Sequence, residues 1–251
     1  MALVSIVHQM DLCLELVDAT TGAGIRDARV NFYVDGKIFP MVKKQNGNYI
    51  LINSQRLNRQ IKVEVYGYEP RVVDVKYEEL DSIRPIKLVL LIPKITDSNF
   101  ASLWSIEGEL PGITDISAVV PSSAPFSYHS YDRARKMVNI LNPRRIELAG
   151  TDYGLVHTDR KSFEAVEVLD LRVQTKLMLS DLLDEEFEVS NPIARIVRGT
   201  VDEDGKYLLR VRASVGDDKN VIVCYHVDGK RRYQVLDFTN ARELQLERRD
   251  E

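Results

Sequence analysis

The sequence predicts a mainly β protein: an N-terminal β-sandwich, a second β-rich domain, and an irregular segment between them. Three observations predict it. Short alternating or β-branched apolar runs recur through residues 1–93 and again through 151–251, separated by turns bearing Gly and Asn. Asp-Gly, a pair suited to the positive φ of tight hairpin turns, occurs at Asp35-Gly36, Asp204-Gly205 and Asp228-Gly229. Residues 94–150 instead carry Pro111, Gly112, Pro121, Pro125 and Pro143, a density that interrupts regular elements.

Each element follows from its local pattern. Leu12, Leu14 and Leu16 alternate with Cys13, Glu15 and Val17, which suits a strand with one core face. Further strands are expected over Ala28–Val34, Tyr49–Ile52, Ile61–Tyr66, Arg71–Val75 and Ile86–Ile92, and Pro93 ends the last because it lacks the ladder amide. The 94–150 segment is expected to be a connector or arm with one short helix at Tyr131–Leu141, where Ala134, Met137, Val138 and Leu141 would share a face. Its content of Phe100, Leu103, Trp104, Ile106 and Phe126 is too apolar for a free tether. In 151–251, strands are expected at Phe163–Val173, Gln174–Leu179, Ile193–Val197, Tyr207–Arg212, Asn220–Val227 and Arg232–Leu236. Ser180–Glu186 reads as a helical turn or an acidic loop.

Four stretches of the first domain carry a family pattern: Leu16-Val-Asp-Ala-Thr-Thr-Gly22, Ile25-Arg-Asp-Ala-Arg-Val30, Asn46-Gly-Asn-Tyr-Ile50 and Val63-Glu-Val-Tyr-Gly-Tyr68. In order and spacing they resemble the carboxypeptidase regulatory-like or transthyretin-like domain, a seven-stranded Ig-like β-sandwich close to Cna-B-type modules. Gly24 stands where that pattern has proline. The resemblance covers residues 16–92 and implies a module that presents or braces something else and carries no catalytic residues of its own. Residues 195–209 look locally similar to the opening of such a module and support a second β domain.

Composition narrows the function. The chain has 251 residues, 44% hydrophobic and 29% charged, with a net charge of -4, values ordinary for a soluble globular protein and unsuited to a polyanion partner. No nucleic acid is expected as a partner. Nor is a membrane span, because no run approaches ~18 uninterrupted apolar residues. The N-terminal MALVSIVHQMDLCLELVD has no basic region followed by a long apolar one, so no secretory signal peptide is expected, and synthesis in the cytoplasm is.

The chemistry-bearing residues are sparse. Cys13 and Cys224 sit in apolar strand-like runs, and only four histidines are present, so no metal and no cofactor are expected. Ser122, Ser123, His129 and Asp132 are near neighbours in sequence, yet the pattern of a nucleophile elbow is absent and a Ser/Pro loop with a helix cap accounts for them. Cys224 and His226 share a strand face but have no nearby third ligand. The pairs Asp202/Asp204, Asp184/Glu185 and Glu107/Glu109 lack the opposed geometry that glycosidic chemistry needs.

No catalytic residue is therefore assigned, and a non-enzymatic protein is expected. Trp104 is either a core anchor or an interface hot spot. The expected interface residues are Phe100, Trp104, Phe126, Tyr128, Arg144, Arg145, Arg231 and Arg232. The expected role is a structural or adaptor subunit of a larger assembly, docking on protein subunits that include further copies of itself. A sandwich module without an export signal fits phage tails and phage-tail-like contractile injection particles, with particle association after synthesis. The alternatives are a carbohydrate or extracellular-ligand binding module, and an accessory domain of a hydrolase.

Overall fold

The structure, a computed structural model, describes residues 10–21, 23–26, 28–44, 47–52, 55–96, 98–99, 102–143, 152–170, 175–213 and 217–247. Regular structure among them is β throughout, apart from short 3-10 turns. The chain divides into two compact units, Met1–Lys94 and Ile95–Glu251.

The first unit is a β-sandwich. Its strands are β1 (Met10–Asp18), β2 (Val30–Val34), β3 (Lys37–Ile38), β4 (Val42–Lys43), β5 (Tyr49–Ile52), β6 (Arg59–Val65), β7 (Arg71–Val75) and β8 (Ile86–Leu91). They form two four-stranded sheets, ordered β4-β5-β1-β8 and β3-β2-β6-β7. The leucines of the first alternating run do what their parity requires. Leu12, Leu14 and Leu16 point inward and pack on Phe32, Ile61, Val63, Val73 and Val75 of the opposite sheet. Asp35 and Gly36 both take positive φ, 50° and 72°, and close the two-residue β2–β3 hairpin. The residues behind the family resemblance also meet. Asp18 Oδ1 accepts the amides of Thr20 and Thr21 at 2.8 and 2.9 Å, and Asp18 Oδ2 accepts the Tyr68 hydroxyl at 3.0 Å. The turn after β1 is thereby tied to the far end of β6.

The second unit joins a sandwich to a barrel. Its strands are β9 (Leu103–Glu109), β10 (Ile113–Val119), β11 (Phe126–Asp132), β12 (Met137–Leu141), β13 (Asp152–Val156), β14 (Phe163–Asp170), β15 (Lys176–Leu179), β16 (Pro192–Arg195), β17 (Val197–Arg198), β18 (Thr200–Val201), β19 (Lys206–Arg212), β20 (Asn220–Val227), β21 (Lys230–Asp237) and β22 (Glu243–Leu244). Sheets β17-β10-β20-β21 and β18-β19-β9-β22 make the sandwich, and β11-β12-β15-β14-β13-β16 close into a six-stranded barrel. The barrel is thus an insertion between two strands of the sandwich, β10 and β17. Phe126, Tyr128, Val138, Ile140, Leu155, Leu177 and Ile193 fill its interior. A second cluster joins barrel wall to sandwich: Val156, Phe163, Ala194 and Ile196 pack on Val119, Ile222 and Cys224.

Two glycines permit this arrangement. A Cβ on Gly154 would lie 2.8 Å from Val119 Cγ1 and 2.9 Å from Phe163 Cδ2, so its absence lets the barrel wall approach the sandwich. Gly199 stands where the chain leaves one sandwich sheet at β17 and enters the other at β18. A Cβ there would lie 2.7 Å from the carbonyl oxygen of Leu208.

The 94–150 segment departs from its expectation. It supplies β9 and β10 to the sandwich and β11 and β12 to the barrel, and all four pair with strands from beyond residue 150. The prolines and the glycine that suggested an irregular segment lie between strands: Pro111 and Gly112 between β9 and β10, Pro121 and Pro125 between β10 and β11, Pro143 after β12. The helix expected at Tyr131–Leu141 is a hairpin. Asp132 accepts the Arg135 amide at 3.2 Å across a 3-10 turn at Arg133–Arg135, Lys136 takes φ +49°, and β12 begins at Met137. Val138 and Ile140 are the buried residues of β12, so the operative period is two.

Trp104 is fully buried in the sandwich of the second unit and stacks on Phe238, with ring centroids 4.9 Å apart and planes 8° from parallel. Its indole N–H has no hydrogen-bond partner among the described residues. Trp104→Ala is therefore expected to destabilise the second unit by about 3–5 kcal/mol. Trp104→Phe should lose less than half of that, because it removes an unpaired buried donor while keeping the ring stack. Chemical denaturation of both variants, followed by circular dichroism, checks the ordering.

Candidate functional site

The residues singled out in the sequence occupy three kinds of place. Trp104, Phe126 and Tyr128 are core residues, buried in the sandwich and in the barrel, so none of them presents an exposed anchor. Their physical reason is parity: each lies on the inward face of its strand. Arg231 and Arg232 lie on β21, opposite His226 and Tyr225 of β20, and Arg231 is exposed. Phe100, Arg144 and Arg145 fall outside the described residues.

The residues weighed for catalysis are engaged structurally. Ser122 Oγ donates to the Asp218 carbonyl at 3.0 Å, and His129 is exposed on β11. Asp132 caps its 3-10 turn. Cys224 is buried against the barrel, and burial pushes its thiol above the ordinary range. Its neighbour Tyr233 donates to the Phe163 carbonyl at 2.7 Å, and burial pushes that phenol up to about 12. His226 Nδ1 lies 2.9 Å from Asp115 Oδ2, on the strand next to β20. Asp202 Oδ1 accepts the amides of Asp204 and Lys206 at 3.0 and 2.9 Å, closing the turn before β19. The described residues hold no group of three or more His, Cys, Asp or Glu arranged to take a metal ion.

One concavity collects carboxylates. It has a volume of about 220 Å³ and is lined by Asp152, Glu164, Glu167, Asp181 and Arg198, among others. Arg198 Nε donates to Asp152 Oδ2 at 2.9 Å. Glu164 pairs across strands with Leu155, a residue of the barrel interior, and its carboxylate accepts the amides of Asp184 at 2.9 Å and Glu185 at 3.2 Å. The same loop buries Leu183, whose amide donates to Tyr131 Oη at 3.2 Å. Beside it, His157 stacks on Phe187 and approaches Glu185 at 3.4 Å. These contacts hold the 180–191 loop over the barrel. Of the acidic residues of the concavity, Glu164 fastens the loop and Asp152 pairs with Arg198.

Exposed apolar surface lies chiefly on the first unit. Ile38, Val42, Leu57, Tyr66, Val72, Ile83, Ile86 and Leu88 are exposed there, against Leu141, Met178, Leu182, Val189 and Val235 on the second. On the sheet β3-β2-β6-β7, cross-strand pairing places Ile38, Tyr33, Lys62 and Val72 in one outward row. Ile38 is 75% exposed and Val72 58%. Lys62 Nζ sits 6.0 Å from the Tyr33 ring centroid and 2.6 Å from Glu64, leaving the row without an unpaired charge. A shallow concavity of about 470 Å³ opens on this face, lined by Tyr33, Gln60, Lys62, Glu64 and Val72. Sequence reading missed this row. The signal was present in Arg71–Val75, where Val72 and Val73 are apolar at both parities: in a two-layer sandwich one of those parities must lie outside the core.

No protein-family model matches the chain, and no curated protein matches it. Among solved structures, it is similar to the Bacillus anthracis TIE protein at 7% identity, over 93% of this chain and 49% of that one, with a TM-score of 0.22. It is also similar to a chimeric titin Z1Z2-Z1Z2 tandem carrying a GRGDS peptide from fibronectin, at 8% identity over 88% and 85% of the two chains and a TM-score of 0.16. A chimeric titin Z1Z2 carrying a KLER peptide from decorin gives 8% identity, 96% and 97% coverage, and the same TM-score of 0.16. Likenesses with TM-scores this low carry no argument about architecture or role.

Two outcomes follow from the ionisable groups. Burial is the largest influence on Glu164 and raises its pKa above the ordinary 4.5, against the two amides that lower it. The folded chain then holds the Glu164 proton more tightly than the unfolded chain does. Its contribution is most favourable below the unfolded-state pKa and declines as pH rises through the folded-state value. Urea midpoints taken from pH 4 to pH 7 should therefore fall for the wild type relative to Glu164→Gln as pH increases. Separately, burial raises both thiols, Cys13 and Cys224. A chromogenic disulfide reagent at pH 8 should label them at least about tenfold more slowly in the folded chain than in urea.

Proposed function

We propose that this protein is a non-enzymatic structural or adaptor subunit of a macromolecular assembly, acting by protein–protein docking through its N-terminal sandwich. The outward row Ile38–Tyr33–Lys62–Val72 is the observation that carries the reading. Large aliphatic groups at 75% and 58% exposure, on a sheet face with its charge already paired, suit a protein partner that removes them from water. The engagement of Ser122, Asp132, Cys224, Asp202 and Glu164 in turns, caps and packing supports the same reading, since each is occupied in holding the fold.

The finer reading is a component of a phage tail or phage-tail-like contractile injection particle. Its support is the combination of a regulatory-like sandwich module with a second β unit.

Sedimentation of a cell lysate through a density gradient tests both levels. The wild-type protein is expected in a fast-sedimenting, particle-sized fraction, and electron microscopy of that fraction identifies tails or sheaths. The double variant Ile38→Asp, Val72→Asp keeps its fold, because both side chains are exposed, and should lose about tenfold of its particle-bound share. Recovery of the wild type only as free chain overturns the assembly reading.

A further inference from the structure

Among the described residues, the first unit has one sheet edge that is left open. β8 is the terminal strand of its sheet and runs parallel to β1, from Cys13↔Ile86 to Asp18↔Leu91. The Cys13 amide donates to the Pro85 carbonyl at 2.8 Å, and the Ala19 amide to the Leu91 carbonyl at 2.9 Å. The odd-numbered residues of β8 therefore direct their backbone groups to β1, and Ile86, Leu88 and Leu90 direct theirs away from it. The Ile86 amide turns back to the Arg84 carbonyl at 2.7 Å. The amides of Leu88 and Leu90 and the carbonyls of Ile86, Leu88 and Leu90 have no partner among the described residues. Beyond Leu91 the edge is closed, since the Glu69 amide donates to the Ile92 carbonyl and the Lys94 amide to the Gly67 carbonyl.

Other edges are protected as sheet edges commonly are. β3 and β4 are two residues long. β7 carries Arg71 and Asp74 and follows Pro70. The edge of β21 begins with Lys230, Arg231 and Arg232, and Gln234 Oε1 accepts the Glu247 amide. β8 has neither proline nor charge at its outward positions, where Ile86 is 43% and Leu88 53% exposed.

We propose that β8 pairs antiparallel with β8 of a second copy of this chain, about a two-fold axis at Leu88. The strand is self-complementary. Its outward residues read aliphatic in both directions, so Ile86 meets Leu90 of the second copy and Leu88 meets its own equivalent. Lys87, the strand's one charge, faces Val89 of the second copy, and like charges are not opposed. Leu88 and its equivalent exchange two amide-to-carbonyl bonds, and the Leu90 amides reach the Ile86 carbonyls. The operation uses each open edge once, so the assembly closes at two copies and yields a continuous eight-stranded sheet. A single strand pair buries less than the roughly 1,200 Å² of a standard interface, which places the affinity in the micromolar range. This inference deepens the docking reading by naming one partner, yet it fails separately, because the Ile38 and Val72 variants leave β8 intact.

Sedimentation velocity of the full chain, from about 1 to about 200 μM, tests the pairing. The dimer fraction of the wild type is expected to rise across that range, and Leu88→Lys is expected to stay monomeric with an unchanged circular dichroism spectrum. Leu88→Cys gives a second readout independent of affinity. A hydrogen-bonded antiparallel pair sets Cα atoms about 5.5 Å apart, within disulfide reach. Mild oxidation should link Leu88→Cys into a covalent dimer at least about tenfold faster than the exposed control Val72→Cys, with Cys13 and Cys224 buried and silent. A wild type monomeric at about 200 μM, a dimer indifferent to Leu88→Lys, or equal cross-linking of the two cysteine variants would each overturn the proposal.

Discussion

The second unit depends on one apolar contact, between the outer wall of the barrel and the outer face of the sandwich sheet beside it. Val119, Ile222 and Cys224 lie on the face of that sheet turned away from the sandwich core. A sheet with two apolar faces needs two covers. The second sheet of the sandwich supplies one, and Val156, Phe163, Ala194 and Ile196 of the barrel supply the other. Gly154 brings the backbone of β13 close enough for Phe163 and Val119 to meet, and the Tyr233 hydroxyl on the Phe163 carbonyl fixes the seam. The barrel can be inserted between β10 and β17 because both of its ends return to this one sheet.

That contact also explains why Cys224 is held in an unreactive state. Cys224 is part of the seam, so burial keeps its thiol protonated. Glu164 stands at the barrel wall and spends both carboxylate oxygens on the amides of the 184–185 loop. The second unit places its polar groups where they finish a turn or fasten a loop. The first unit is built differently. Its two sheets share one core; the exposed row at Ile38 and Val72 lies on the outer face of the β3-β2-β6-β7 sheet, and β8 is the terminal strand of the other.

Much of the β architecture was legible in the residues. The alternation of Leu12, Leu14 and Leu16, and the Asp-Gly pairs at 35–36 and 228–229, mark a strand and two hairpins that are present with the expected parity and positive φ. The misreading of residues 94–150 came from treating turn residues as breakers of everything around them. Pro111, Gly112, Pro121 and Pro125 lie between strands, and the seven-residue strands beside them were masked by that punctuation. The helix expected at Tyr131–Leu141 arose because Ala134, Val138 and Leu141 fit a period near 3.6, while Val138 and Ile140 fit a period of two equally well. The interface residues Trp104, Phe126 and Tyr128 were picked as large aromatics in an irregular arm, and they are core because the arm is sheet.

The sequence by itself determined that the chain is mainly β, where several hairpins turn, and that the thiols sit in apolar strands. Those properties follow from φ preferences and from the alternation of side chains along one strand, which are local. Only the tertiary structure decided which faces of the strands are covered. A run such as Ile86–Leu91 is apolar on both sides whether it is central or terminal, and among the described residues its strand neighbour is residues 13–18, on one side. Exposure of Leu88 and burial of Trp104 are therefore consequences of non-local pairing, which a single strand's sequence does not encode.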